Sequence, residues 1–216
     1  MSGEPDPNQH GATQMTQSIP KRPPGRPRSD AARKAILDAA YGLLEEAGYA
    51  RLSMEGIAAR AGVSKATIYR WWPTKGAVAM EAFLGAISPR IAFPRTESAI
   101  ADVTAQMRSL VRVYLGVNGR VVCELIALGQ SEPETLASFV DGYLKPRRNA
   151  AKDALLRGVQ SGEIRPDLDM DMLVDALYGP IFNRLLVRHQ PLDEQFAEGI
   201  ARIVFSGASA GAPATS

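Results

Sequence analysis

One stretch limits what this chain can fold into more than any other. From Ser53 to Lys75 it reads SMEGIAARAGVSKATIYRWWPTK. Ile57, Ala58 and Ala61 recur at helical spacing and predict an apolar face. Gly62 follows, where a helix end takes a residue that tolerates positive φ. Ser64 offers a hydroxyl to cap a second helix, which Pro73 stops after Trp72. Helix, tight glycine turn and helix predict a helix-turn-helix, whose second helix can lie in a DNA major groove.

Along that second helix Val63, Ile68 and Trp72 form an inner face. The opposite face carries Ser64, Lys65, Thr67, Tyr69 and Arg70. These are short hydroxyls, a phenol and two cations, the groups that reach phosphates and base edges. A merely solvated polar face is the plain alternative for such a helix taken alone. The flanking sequence favours the DNA reading. Ser53 and Thr74-Lys75 open helices on either side, and free helix N–H groups with the Lys75 ammonium make anion sites. Phosphate contacts position a helix, which leaves Lys65, Thr67, Arg70 and the small Ala66 to discriminate bases.

Charge is placed accordingly. The chain of 216 residues has a formal net charge of only +2. Residues 1–88 hold 11 Lys+Arg against 8 Asp+Glu, and six cations with one Asp fall within residues 20–34. The positive charge therefore gathers on the approach to the helix-turn-helix. Pro20 to Arg28 read PKRPPGRPR, an extended cationic run shaped for a minor groove. Within it Gly25-Arg26-Pro27-Arg28 resembles an AT-hook core, with Arg26 and Arg28 as its contacts; a generic phosphate-attracting tail is the alternative. A lone cysteine, Cys123, excludes an intramolecular disulfide and fits a reducing cytosol. No apolar run is long enough to span a bilayer and no signal core opens the chain, so we expect a cytoplasmic protein with no membrane partner.

The remainder predicts helices throughout, an all-α fold of about nine helices. We expect a disordered basic arm over 1–28, a three-helix DNA-binding unit over 29–75, a helical ligand-binding and dimerisation domain over 76–206, and a disordered tail over 207–216. Expected segments are 97–115, a nearly all-apolar 118–129, 132–161 bent or broken near Pro146, 169–188 kinked at Pro180, and 193–205.

The phrase from Met54 to Lys75, followed by an apolar helix, resembles the TetR/AcrR family of transcriptional regulators over residues 30–80. Tyr178-Gly179-Pro180 and Pro191-Leu192-Asp193 are similar in the C-terminal part. The resemblance implies a homodimer that binds a palindromic double-stranded DNA operator, usually as a repressor, and releases it when a small-molecule effector enters the C-terminal domain. By position, Lys65 and Ala66 match the base-reading end of the recognition helix. Thr67, Tyr69, Arg70 and Trp71 match groove-wall and phosphate contacts, and Ser53 and Lys75 match phosphate contacts at helix starts. The family commonly carries His where this chain has Trp71. Indole has one N–H donor and no charge, so Trp71 can instead pack on the sugar backbone or on the first helix.

Ligand pockets in helical domains lie between helices and are mostly apolar. Candidates here are Met107, Val111, Tyr114, Cys123, Glu124, Phe139, Tyr143, Tyr178 and Phe182, and they predict a mostly apolar or aromatic effector. An unpaired buried charge is costly, so Glu124 is paired, exposed or meeting a ligand, with Arg108, Arg112 and Asn183 as possible partners. Leu177, Ile181, Leu185, Phe196, Ile200, Ile203 and Val204 are more apolar than one intrachain contact requires. They predict a two-fold four-helix bundle, against the simpler alternative of an intramolecular core. A DNA-binding regulator without a ligand is the alternative function. An enzyme would need a constellation, and none is present. His10 and His189 are far apart, Gly207 to Gly211 lacks the strand a nucleophile elbow needs, and Asp167 to Asp171 lacks the Gly and Glu of a calcium loop. No metal and no cofactor are implied.

Overall fold

The computed structural model describes residues 26–209, with side chains from residue 30. Among these the chain is helical throughout, apart from an isolated bridge between Ile164 and Ser209. The first helix, α1 (Arg26–Ala47), starts inside the stretch expected to be arm. Pro27 explains this: proline in a first helical turn costs no hydrogen bond, because that N–H is unpaired anyway. Gly48, at φ 79°, ends α1, and a short 3₁₀ turn (Tyr49–Arg51) makes the corner.

The next three helices are each opened by a side chain. Ser53 Oγ accepts from Gly56 N–H at 3.0 Å to start α2 (Met54–Ala61). Gly62 closes α2 in the left-handed region, at φ 66° and ψ 34°. Ser64 Oγ accepts from Thr67 N–H at 3.2 Å to start α3 (Lys65–Tyr69), whose ladder continues to a bond from Trp72 N–H to Ile68 O. Thr74 Oγ1 accepts from Ala77 N–H at 3.1 Å to start α4 (Lys75–Ile87). Ile57 of α2 and Ile68 of α3 are wholly buried, in one hydrophobic cluster with Ile36, Ala40 and Leu44 of α1. Burial of an Ile side chain stabilises by ~1.5–3 kcal/mol. Trp72 is buried too, and its indole N–H donates to Glu81 of α4 at 2.7 Å, while Glu81 also pairs with Arg33 of α1. That three-way lock fixes the end of the α3 segment to its neighbours.

A 3₁₀ turn (Ser88–Ile91) leads on to α5 (Ala99–Tyr114), α6 (Val117–Gly129) and α7 (Pro133–Phe139). Where a bend near Pro146 is expected, a π-helical segment (Val140–Leu144) stands instead, and α8 (Lys145–Gln160) begins with Pro146 in its first turn. The widened π turn absorbs the break before the proline. α9 (Met170–Val187) runs through Pro180, and α10 (Glu194–Ala208) continues beyond the expected fray point. Its end is held because Arg165 N–H donates to Ala208 O at 3.0 Å. One hydrophobic core extends from Ile36 to Ala208.

The start of α5 is held by acids. Asp102, 1% exposed, accepts from the Thr96 hydroxyl at 2.7 Å, the Thr96 N–H at 3.0 Å and Arg157 at 3.0 Å. Burial pushes its carboxyl up, but the Thr96 bonds and then Arg157 outweigh that and hold it below the usual range. Glu163 accepts from Ser98 Oγ and Ala99 N–H, tying the loop after α8 to the same helix end.

Candidate nucleic-acid interface and adjoining cavity

α3 presents the polar face that its spacing implies. Lys65, Ala66, Tyr69 and Arg70 are exposed, Tyr69 by 51%, and Thr67 is half-buried. Among the described residues nothing seals them inside the protomer. Ser64 Oγ and Thr67 Oγ1 bond each other at 2.9 Å, which orients both hydroxyls at the start of the helix. Lys65 Nζ rests on Glu55 of α2 at 2.7 Å, an exposed pair that raises the lysine above its usual range through that hydrogen bond. Exposed pairs are weak, so Lys65 can leave Glu55 for a base edge at little cost.

Trp71 is half-buried. Its ring meets Trp72 edge-on at 5.6 Å, and the Arg70 guanidinium lies 5.2 Å from a Trp71 ring centroid. It therefore acts as a plate under Arg70 and aims that cation outward, a role that an aromatic ring serves through its face rather than its N–H. Ser53 and Thr74 stand at the starts of α2 and α4. Each hydroxyl accepts from its own helix and keeps its hydrogen for an outside acceptor. Lys75 folds back: its Nζ is 4.3 Å from the Tyr49 ring centre and 3.4 Å from Tyr49 O. The backbone of Arg26 and Arg28 belongs to the first turn of α1; their side chains and residues 1–25 lie outside the described residues.

Between α5, α6, α7, the π segment, α8 and α9 lies a cavity of about 350 Å³. Its walls include Leu110, Tyr114, Ile126, Phe139, Tyr178 and Phe182. Of the residues expected there, Tyr114, Phe139, Tyr178 and Phe182 line it. Tyr143 stands just behind, its hydroxyl bonded to that of Tyr114. Met107 and Val111 do not reach the cavity. Both are fully buried in the core, because the inward face of α5 turns past the opening. Cys123 Sγ instead lies 3.6 Å from Leu185 O.

Glu124 is also elsewhere. Its Oε2 accepts from Tyr49 N–H at 2.6 Å, at the corner between α1 and α2. Arg108 and Arg112, named as its possible partners, instead pair with Glu194, and Arg108 with Glu198 as well, on α10. The cavity holds polar groups that the sequence reading missed. The Tyr178 hydroxyl donates to Gln106 Oε1 at 2.7 Å, and Gln106 Nε2 donates to Ile91 O. Arg148 pairs with Asp171 and Asp175, and Arg147 stands beside it. The run Lys145 to Arg148 carries no local pattern that marks a pocket, and the fold brings both of its arginines to the cavity just after the π segment. Burial raises the phenols of Tyr114, Tyr143 and Tyr178, so all three stay neutral donors.

The residues expected at a dimer contact divide. Leu177, Ile181 and Leu185 are buried within the protomer and face its core, because α9 packs on α8 and α10. Phe196 lies under the Arg184 guanidinium at 3.5 Å. Ile200 and Val204 are half-buried, and Ile203 is 67% exposed. The outer face of α9 carries Met172 and Val187, both well exposed.

A capped helix-turn-helix with an open second helix, joined by α4 to an all-helical domain, defines a DNA-binding transcriptional regulator. Residues 36–82 match the model of bacterial regulatory proteins of the tetR family, and residues 93–204 match a tetracyclin repressor-like C-terminal domain. The chain belongs to the TetR family. It is 39% identical to the HTH-type transcriptional regulator YdeS of Bacillus subtilis, over 86% of this chain and 94% of that protein. It is 30% identical to the DNA-binding transcriptional repressor TetR of Mycobacteroides abscessus, over 82% and 92%. The crystal structure of the TetR family transcription regulator SCO0332 superposes with a TM-score of 0.76 at 35% identity, covering 82% of this chain and 98% of that one. These relatives are named as regulators, not enzymes. Among the described residues no helix is long and apolar enough to cross a membrane.

Proposed function

We propose that this chain is a cytoplasmic, homodimeric repressor that grips a palindromic operator and lets go when a small, mostly apolar effector fills the cavity. In this reading α3 reads base edges through Lys65, Ala66, Thr67 and Arg70. Ser53, Tyr69, Trp71 and Lys75 hold the strands, and Arg26 and Arg28 add charge from the first turn of α1. The dimer face is built from the outward side of α9 and α10, with Met172, Val187, Ile200, Ile203 and Val204, rather than from the inward leucines.

The observation that carries the reading is a shared wall. The helices that line the cavity also hold the DNA-reading unit at two points. α6 lends Ile126 to the cavity and Glu124 to the Tyr49 corner. α7 and the π segment lend Leu136, Phe139 and Val140 to the cavity and pack on α4, which begins at Thr74-Lys75 on the DNA side. An effector that spreads these walls acts on both attachments at once. A tenfold loss of operator affinity takes only about 1.4 kcal/mol of differential binding.

Selection of bound fragments from random DNA tests the proposal. The expected product is an inverted repeat with half-site centres roughly 34–36 Å apart. Recovery of single asymmetric sites, or no enrichment over input, would overturn it.

A further inference from the structure

The cavity holds a cation without a counter-charge. Arg147 sits in the first turn of α8, and its Nε is buried with no hydrogen-bond partner, alone in this among the described side-chain atoms. Its guanidinium lies 4.6 Å from the Tyr143 ring centre and forms no ion pair with a described carboxylate. The acid on the cavity wall, Asp175, is held by Arg148, and Asp171 is shared between Arg148 and Lys152. Asp153 borders Arg147 across a separate surface groove, beyond ion-pair distance. A buried N–H left unpaired costs ~1–3 kcal/mol, and the rest of the Arg147 guanidinium makes no hydrogen bond to a described residue, so the cation meets the cavity with its charge unspent.

The neighbouring phenols are also donors. Tyr114 and Tyr143 bond each other through their hydroxyls, which uses one of the two hydrogens and leaves the other to donate. The Tyr178 hydroxyl is already committed to Gln106. The charge of Arg147 acts on all three phenols, so they share its neighbourhood. What remains unspent is thus a guanidinium and one O–H, beside the apolar walls of Phe139, Phe182, Leu110 and Ile126. That set complements an anion and offers little to a base or a neutral hydrocarbon.

We propose that the effector is an amphipathic acid, with an apolar body between the aromatic walls and one carboxylate-like or sulfonate-like head held by Arg147 and the Tyr114–Tyr143 pair. This rests on reading the cavity as the effector site. Two fluorophores with the same rings test it: anilinonaphthalene sulfonate, which is anionic, and phenylnaphthylamine, which lacks the sulfonate. The full-length protein should bind both. Arg147→Met should weaken the sulfonate by about tenfold or more and leave the neutral amine within about twofold, and Arg147→Lys should retain most of the sulfonate affinity. Val140→Phe, which fills the cavity from the π segment, should weaken both dyes. Far-ultraviolet circular dichroism checks that each variant folds. If Arg147→Met spares the sulfonate, or weakens both dyes equally, the anion assignment is overturned and the cavity reading stands. If both dyes ignore Val140→Phe, the cavity reading fails and takes the anion assignment with it.

Discussion

The DNA-binding end and the cavity end of this molecule are built by different rules. In the reading end, α2, α3 and α4 each start on a hydroxyl that accepts from the third N–H of its helix, and Gly62 closes α2 in the one backbone region that allows the turn. Its geometry is set within a few residues of each helix start. Around the cavity, α6, α7 and α8 begin without any side-chain cap, and a π segment replaces the expected break. Those helices take their places from contacts with distant elements, through packing and through bonds such as Glu124 to the Tyr49 N–H and Arg157 to Asp102, and packing there is interrupted by empty space. The difference teaches where motion belongs. A locally determined unit keeps its shape while it is carried as a body, and a region held by mutual contact can settle around a guest.

Three experiments would break or sharpen this contrast. The largest effect is expected from Ile68→Ala, which empties the space under the reading helix and should cost about 2–5 kcal/mol in urea denaturation. Leu136→Ala, on a wall that already faces a void, should cost about 1 kcal/mol or less. Comparable losses would erase the distinction between the two ends.

Next in size is Asp102→Asn, expected to cost about 1–3 kcal/mol at neutral pH by weakening its bonds to Thr96 and Arg157. The folded carboxyl is held below its ordinary value, so its contribution is complete above an unfolded pKa of ~3.9. It drains as pH falls through the lowered folded value. The wild type should therefore lose stability more steeply than the variant on acidification below about pH 4. Parallel acid limbs would show that Asp102 carries no such linkage.

The smallest effects concern affinity. Lys75→Ala should weaken binding to operator and random DNA alike and lower the salt dependence by about one ion. Lys65→Ala should also blur preference among operator variants, because its ammonium sits free of the fold on the exposed Glu55. Equal losses on all sequences for both changes would contradict the division into reading and gripping residues.

The same contrast explains what could be read from the residues. Caps and glycine turns are local rules, so Ser53, Gly62, Ser64 and Thr74 announce the reading end without any knowledge of the rest. Helical periodicity marks which side chains point inward, as with Leu177 and Ile181, but not whether an inward face meets a neighbour, a void or a second copy. Met107 and Val111 turn into the core and not to the cavity, and Leu177, Ile181 and Leu185 face the protomer's own core. Arg147 and Arg148 carry no such local mark, since their place on the cavity wall depends on how α8 packs after the π segment. Glu124 pairs with a position 75 residues upstream, which no short-range pattern announces.

The bond from Glu124 reaches a main-chain N–H and not a side chain. The tether between the two ends is therefore blind to which side chain stands at 49, proline excepted, since every other residue supplies the same donor. It is sensitive to its neighbour instead: a Cβ at Gly48 would lie 3.0 Å from Glu124 Oε1, at a φ that side chains avoid. The Tyr49 ring answers to other demands, buried as it is beneath the Lys75 ammonium, while a single methyl one step earlier would crowd the acid itself.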